Sequence, residues 1–163
     1  MVPVITLMGV SGCGKTTVGI ALSEYLGWKF IESDDYHSDD DIRKMSAGIP
    51  LTDQDRWPWL AKLNHALLDA ISKGEKVVLA CSALKRSYRE MLYATIKNGI
   101  YVYLKGSYSL IQKRMLVREH FMKTGLLQSQ FDTLEEPKDA VVIDIRSSVS
   151  TIVEQIAKSL QLD

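Results

Sequence analysis

A run near the N-terminus has the residue types and spacing of a phosphate-binding loop. Gly9-Val10-Ser11-Gly12-Cys13-Gly14-Lys15-Thr16 fits the pattern G-x-x-x-x-G-K-[ST]. The glycines let the backbone curl so that its N–H groups face one anion, and the lysine reaches the β- and γ-phosphates. The threonine hydroxyl ligates Mg²⁺. The run therefore predicts a nucleoside triphosphate site, and the alternative is a glycine-rich turn with a surface lysine.

A second run, ESDDYHSDDD at residues 32–41, gathers carboxylates around one histidine. Glu32 and Asp34 face the same side if the preceding strand persists, and one carboxylate beside a hydroxyl can accept its proton. Asp34 is the candidate base, and Glu32 is a candidate to act on Mg²⁺ through water. His37 either donates a hydrogen bond to substrate or makes a structural bond, since one histidine is weak support for a metal site. Residues 39–41 favour the acidic first turn of a short helix.

The elements that must position these groups alternate along the chain. Apolar, β-branched runs predict strands at residues 4–8, 29–31, 77–80, 101–104 and 141–143. Helical spacing of apolar residues predicts helices at 18–26, 60–71 and 149–160, and Trp57-Pro58-Trp59 is typical of a helix start. This alternation indicates an α/β fold with a parallel sheet, whose carboxyl edge binds ligands. Residues 119–139 are the least regular part and predict a mobile loop.

Composition limits the other classes of protein. The 163 residues suit one domain, predicted to span 1–163, and 20 basic against 20 acidic residues argue against a polyanion-binding surface. Cys13 and Cys81 are too few for a disulfide framework or a zinc site, which indicates a reduced, cytosolic chain. We expect no signal peptide and no membrane partner, because the N-terminal apolar run is short and no run has bilayer length.

Five segments resemble gluconokinases, the small P-loop kinases that phosphorylate D-gluconate. They are MGVSGCGKTTVG, DDYH, RKMSAGIPLTDQDRWPWL, ACSALKRSYRE and HFMKTGLLQSQFDTLEEP. The third and fourth are the specific ones, because the phosphate-binding loop is shared by many families. The resemblance implies a nucleoside-monophosphate-kinase-like fold with five parallel strands, helices on both faces and a small lid at about 119–130. It also implies a cytoplasmic homodimer that makes 6-phosphogluconate and ADP from D-gluconate and ATP, for the pentose phosphate pathway.

The resemblance also implies roles for individual residues. Those implied to bind ATP are Gly9, Val10, Ser11, Gly12, Cys13, Gly14, Lys15, Thr16 and Thr17, with Thr16 on Mg²⁺. Those implied to bind substrate are Asp34, His37, Arg56, Ser82, Lys85 and His120. Those implied to be catalytic are Lys15, Asp34, Arg114 and Arg118. The fork of Arg56 suits a carboxylate, though a salt bridge to Asp53 or Asp55 is an alternative.

Several alternatives stay open at this point. Arg114 and Arg118 share one helix face, and they either close over the phosphoryl group or are exposed cations. Lys85 and Arg89 lie one helical turn apart, and they either favour anions or form a solvated face. A shikimate kinase is one rival, although CSALK stands where a glycine-rich run is expected. A GTPase switch would need D-x-x-G and N-K-x-D motifs, which the sequence lacks. A nucleic-acid-binding module has little support from the neutral charge balance.

Overall fold

A five-stranded parallel sheet organises the chain in the computed structural model, which describes residues 1–117 and 124–162. The strands are Val4–Met8 (β1), Lys29–Glu32 (β2), Val77–Ala80 (β3), Ile100–Lys105 (β4) and Val141–Asp144 (β5). The helices in the described residues are Lys15–Leu26 (α1), Asp39–Ser46 (α2), Asp53–Ser72 (α3), Arg86–Leu92 (α4), Tyr108–Val117 (α5), Thr124–Thr133 (α6) and Val149–Ser159 (α7). A short 3-10 turn, Ser33–Tyr36, links β2 to α2. The five predicted strands are all confirmed.

The strand order is β2-β3-β1-β4-β5, which makes β1 the central strand. Leu7 of β1 pairs with Ala80 on one side and with Val102 on the other. Because all five strands are parallel, their carboxyl ends lie at one edge of the sheet, where open α/β sheets bind ligands. The phosphate-binding loop after β1 and the acidic run after β2 therefore meet at that edge.

The core explains why the strands read as continuous apolar runs. Every residue of β1 and β3 is buried, so both faces of these central strands are covered. Two helix pairs, α1 with α7 and α3 with α4, pack beside them. The edge strands β2 and β5 are partly exposed. The predicted α/β fold with five parallel strands is confirmed.

Two predictions about helices were wrong. The segment at 119–139 was predicted to be irregular, but α6 occupies Thr124–Thr133 with Leu126 and Leu127 buried. Gly125 weakens helix propensity there, so packing decides the conformation. Helix α3 begins at Asp53 rather than at Trp57, because Thr52 and Asp55 form a reciprocal capping box. The lid predicted at 119–130 remains a prediction, and residues 118–123 lie outside the described part.

No helix among the described residues combines the length and the apolar character that crossing a membrane requires.

Candidate active site

The loop between β1 and α1 has the backbone of a phosphate cradle. Gly12 and Gly14 have φ angles of 81° and 102°, a region that side chains disfavour. A Cβ on Gly12 would also lie 2.8 Å from Cγ of Met115, so glycine is required for space as well. Gly14 is the N-cap of α1, and no side chain caps that terminus. The N–H groups of the first turn of α1 are thus left for an anion.

Lys15 is held over the mouth of this loop by the loop itself. Its ammonium group donates hydrogen bonds to the carbonyl oxygens of Gly9, at 3.1 Å, and Val10, at 3.0 Å. Neutral carbonyls keep the ammonium charge in place without neutralising it. The charge therefore remains available to an incoming phosphate.

A hydrogen bond between Thr16 and Glu32 connects the phosphate-binding loop directly to the acidic run at residues 32–41. The Thr16 hydroxyl donates a 2.6 Å hydrogen bond to Oε2 of Glu32 at the end of β2. Burial and the neighbouring Asp34 carboxylate raise the pKa of Glu32, against the opposing effects of the Thr16 hydrogen bond and Lys15. A cation placed here would relieve both causes of the shift.

These two oxygen donors fit Mg²⁺, a hard ion that is bound through one or two protein oxygens together with water and substrate phosphates. In the described part of the chain, no three His, Cys, Asp or Glu side chains cluster as a metal site.

One cavity of about 270 Å³ collects most of the predicted residues. Its walls come from the phosphate-binding loop, the acidic turn, α3 and the segments after β3 and β4. Predicted residues on its walls are Ser11, Gly12, Gly14, Lys15, Thr16, Thr17, Asp34, His37, Arg56, Ser82 and Arg114. Glu32 also lines it. Of the remaining loop residues, Val10 and Cys13 are buried in the core cluster.

Asp34 and His37 are presented by the 3-10 turn that follows β2. The His37 ring stacks on Trp59 with centroids 4.2 Å apart, and Trp59 donates a 2.8 Å hydrogen bond to the Ser33 carbonyl. Nε2 of His37 lies 3.7 Å from Asp34, and Nδ1 lies 3.7 Å from Asp41. Trp59 thus holds the imidazole in the cavity wall between two carboxylates.

His37 is poised for a polar ligand. Its side chain is only 4% exposed, and its Nδ1 atom is buried without a hydrogen-bond partner among the described residues. Burial lowers the pKa of His37 below its ordinary value, although Asp34 and Asp41 act in the opposite direction. The imidazole is therefore neutral near pH 7, with one nitrogen that donates and one that accepts.

Arg56 faces the cavity from α3. Its guanidinium lies 5.1 Å above the Tyr88 ring, and among the described residues its hydrogen bonds are two 3.4 Å contacts, both to the Leu51 carbonyl. The alternative of a salt bridge is not realised within the described residues, because Asp53 pairs with Lys85 and Asp55 with Lys44. The fork is oriented by its stacking on Tyr88 and can receive a carboxylate.

Ser82 and Lys85 follow β3 but lie in different places. Ser82 lines the cavity, and its carbonyl accepts a 3.2 Å hydrogen bond from the Gly9 N–H. Lys85 is not among the lining residues, and its ammonium group donates a 3.1 Å hydrogen bond to Asp53. In this structure Lys85 therefore reaches α3 rather than the cavity.

Arg89 has neither of the roles considered for it from the sequence. It is only 9% exposed and donates hydrogen bonds to the carbonyls of Ala83, at 2.7 Å, Leu84, at 3.2 Å, and Glu135, at 3.0 Å. It thereby fixes the loop that carries Ser82. Its charge is used for positioning backbone, because buried carbonyls need donors.

Arg114 lines the cavity and also bonds to the segment that follows β5. Its Nη2 donates a 2.6 Å hydrogen bond to the Ile145 carbonyl, which leaves further guanidinium donors. Arg118 and His120 lie outside the described residues.

Sequence reasoning missed two residues of this site. Trp59 was considered as part of a helix start, yet it holds His37 in place by stacking on its ring. Gln130 of α6 lines the cavity and contacts Ser11 of the phosphate-binding loop. A glutamine within LLQSQF gives no chemical signal of its own, and only the fold brings it to the loop.

Neither cysteine has a reactive environment. Both are free and buried, and burial raises the pKa of Cys81 to about 12. Cys13 is buried in the core as a small residue.

Comparisons with known proteins agree with this geometry. The sequence model described as shikimate kinase matches residues 11–161. A probable gluconokinase from Mus musculus is 42% identical and is matched over 97% of each chain.

Two solved structures extend the comparison to the fold. A gluconokinase from Sinorhizobium meliloti 1021 is 44% identical, with a TM-score of 0.83 over 96% of this chain and 94% of the other. A sugar kinase from Janibacter sp. HTCC2649 is 39% identical, with a TM-score of 0.93 over 99% and 96%. Identities at this level over nearly whole chains show that the chain belongs to the gluconokinase family.

Proposed function

We propose that this protein transfers the γ-phosphoryl group of ATP to the 6-hydroxyl of D-gluconate, giving 6-phospho-D-gluconate and ADP. The observation that carries this proposal is that Lys15, Asp34 and Arg56 line one cavity. A phosphate-binding cation, a carboxylate base and a carboxylate-binding fork are the three groups that this reaction needs. Membership of the gluconokinase family supports the same reaction.

Asp34 is proposed as the group that activates the acceptor. Its carboxylate accepts the proton of the primary hydroxyl while the hydroxyl oxygen bonds to the γ-phosphorus and the bond from that phosphorus to ADP breaks. Lys15 supplies positive charge at the β- and γ-phosphates. Arg114 is proposed to supply further charge from the opposite wall, and Arg118 is proposed for the same role from its sequence position.

Thr16 and Glu32 are the residues that would hold Mg²⁺, Thr16 as a ligand and Glu32 through water. When bound, the ion neutralises charge that develops on the phosphates. The 2.6 Å hydrogen bond between the two side chains already aligns their oxygens at the end of the loop.

The acceptor is proposed to lie between the acidic turn and α3. Arg56 binds its carboxylate, and His37 and Ser82 exchange hydrogen bonds with its row of hydroxyls. Lys85 would have to leave Asp53 to reach it, and His120 is proposed as a further contact from its sequence position. In the structure, Lys85 is the one described member of this set that points away from the cavity.

The test is a panel of acceptors supplied with Mg²⁺ and ATP. ADP release is measured with gluconate, gulonate, idonate, shikimate and nucleoside monophosphates, and phosphorus NMR identifies the product. We expect gluconate to give the highest kcat/KM and a phosphomonoester on its primary hydroxyl. Faster turnover of any other acceptor would replace the proposed substrate.

A shikimate kinase is the second candidate, because the family model of that description matches most of the chain. The segment after β3 argues against this candidate, because Cys81, Ser82 and Ala83 stand where a glycine-rich run is expected in a shikimate kinase. Arg89 fixes the conformation of this segment by donating hydrogen bonds to the carbonyls of Ala83 and Leu84. The shikimate arm of the panel decides between the two.

We also propose a homodimer that works in the cytoplasm. The two free, buried cysteines fit a reducing compartment. Light scattering of the purified protein measures the mass of the assembly, and fractionation of cells measures its location.

A further inference from the structure

A two-point contact joins α6 to the phosphate-binding loop. The Ser11 N–H donates a 2.6 Å hydrogen bond to Oε1 of Gln130, and Nε2 of Gln130 donates a 3.1 Å hydrogen bond to the Ser11 hydroxyl oxygen. The amide uses its acceptor and one donor on a single residue that lies 119 positions away in the sequence. Such paired bonds fix orientation as well as distance.

Helix α6 forms a wall of the cavity at this point. Leu126, Ser129 and Gln130 line the cavity beside Ser11, and the adjoining Leu127 is fully buried in the core. The end of α6 is fixed as well, because the Glu135 N–H donates to the Leu84 carbonyl at 2.8 Å. Helix α6 therefore packs beside Ser11, which is only 8% exposed.

The chemistry of the side chain suits this place. An amide carries no charge, so it can lie beside the triphosphate without repelling it, as a carboxylate would. It also offers both a donor and an acceptor, which the Ser11 N–H and hydroxyl together require. Alanine removes both bonds, whereas glutamate keeps two acceptor oxygens but adds a negative charge.

We propose that Gln130 is a positioning residue that holds α6 against the phosphate-binding loop and so keeps water from competing with the sugar acid for the phosphoryl group. This rests on the proposed function, since it presumes phosphoryl transfer in this cavity. Water is itself an acceptor of the phosphoryl group, and a kinase that admits it hydrolyses ATP. The predicted sign of a loosened wall is ADP formed without phosphorylated product.

The experiment measures ADP and phosphorylated gluconate in the same reaction for wild type, Gln130→Ala and Gln130→Glu. Gln128→Ala is the matched control, because Gln128 lies on the same helix and is exposed, bonding only to Asp132 among the described residues. We expect Gln130→Ala to lower kcat by roughly tenfold and to raise the ratio of ADP to product well above one. Gln130→Glu should keep the ratio at one but raise KM for ATP by roughly tenfold, since its carboxylate faces the phosphates.

The control should keep both kcat and the one-to-one ratio. The inference is overturned if Gln130→Ala forms ADP and product in equal amounts with near wild-type kcat. It is also overturned if Gln128→Ala shows the same excess of ADP. Failure of the proposed function is a separate result, because wild type itself would then show no gluconate-dependent ADP release. Circular dichroism melting of each variant checks folding. If the alanine variant does not fold, an unchanged KM for ATP in Gln130→Glu overturns the inference, because position 130 would then not face the phosphates.

Discussion

The hydroxyl of Thr16 and the carboxylate of Glu32 are joined by a 2.6 Å hydrogen bond between the first turn of α1 and the end of β2. This bond connects the phosphate-binding loop to the strand end from which the acidic turn begins. A carboxylate with a raised pKa at the tip of a strand is costly without a cation, and its position is explained if Mg²⁺ binds beside it.

Glu32→Gln should therefore weaken the response to Mg²⁺. The amide keeps the shape and can still accept from Thr16, but it lacks the charge that holds a water of the ion. We expect the Mg²⁺ concentration for half-maximal rate to rise by about tenfold. The measurement is a Mg²⁺ titration of ADP release at fixed ATP, and an unchanged midpoint would remove Glu32 from the metal site.

Asp34→Asn should lower kcat with little effect on ATP binding. The amide cannot accept the hydroxyl proton, whereas the phosphate-binding loop is untouched. The loss should be about 10²–10⁴-fold in kcat. Steady-state kinetics and the dissociation constant of ATP measure the two effects, and a near-normal kcat would contradict the base assignment.

Arg56→Ala should raise KM for gluconate. Loss of a paired, charge-assisted contact to the carboxylate should cost roughly 10–100-fold in KM. Arg56→Lys should recover only part of this loss, because an ammonium group cannot form the fork. An unchanged KM would mean that the carboxylate is bound elsewhere. KM for ATP serves as the internal control.

His37 should make stability depend on pH. Burial lowers its pKa in the folded state, so the unfolded chain binds more protons once the pH falls below the ordinary histidine value. Stability is then lost as the pH falls below about 6.5 toward the folded pKa. Asp34, Asp41 and Arg56 face the imidazole and remain in both proteins when wild type is compared with His37→Gln.

Urea unfolding of these two proteins from neutral to mildly acidic pH gives the measurement. The free energy of unfolding of wild type should fall more steeply than that of His37→Gln. Parallel curves would show that the imidazole titrates alike in the folded and unfolded states.

Arg89→Lys should destabilise the fold. Lysine cannot reach the Ala83, Leu84 and Glu135 carbonyls together, so buried acceptors lose their donors. We expect a loss of about 3 kcal/mol in the free energy of unfolding, and a Tm lower by about 10 °C. Arg86→Lys is the control, because Arg86 is exposed on the same helix and pairs with Glu90. Equal Tm values for the two variants would refute the structural role.

The sequence predicted the sheet better than the helix boundaries. Continuous apolar runs marked all five strands, because a parallel sheet buries both faces of its central strands. The start of α3 was misplaced because Pro58 was weighed above the capping pair of Thr52 and Asp55. Helix α6 was missed because Gly125 lowers the helix propensity of its first turn, and its stability comes from packing.

The sequence predicted those parts of the site in which the functional residues lie close together in a short motif. The loop around Lys15 and the acidic turn around Asp34 stand in local motifs, and both line the cavity. Gln130 could not be found in this way, since its partner Ser11 is distant in the sequence and an amide suits many places. Lys85 and Arg89 were read as a pair on one helix face, but the loop after β3 directs them to Asp53 and to backbone carbonyls.

The central place of β1 in the sheet divides the cavity into two halves of separate origin. Asp34, His37 and Ser82 come from connections on the β2–β3 side, while Arg114 and Gln130 come from those beyond β4. Substitutions of Asp34, His37 or Ser82 are therefore expected to change which alcohol is accepted more than they change KM for ATP. Acceptor specificity in proteins with this fold can therefore change through substitutions that are confined to the β2–β3 side of the cavity.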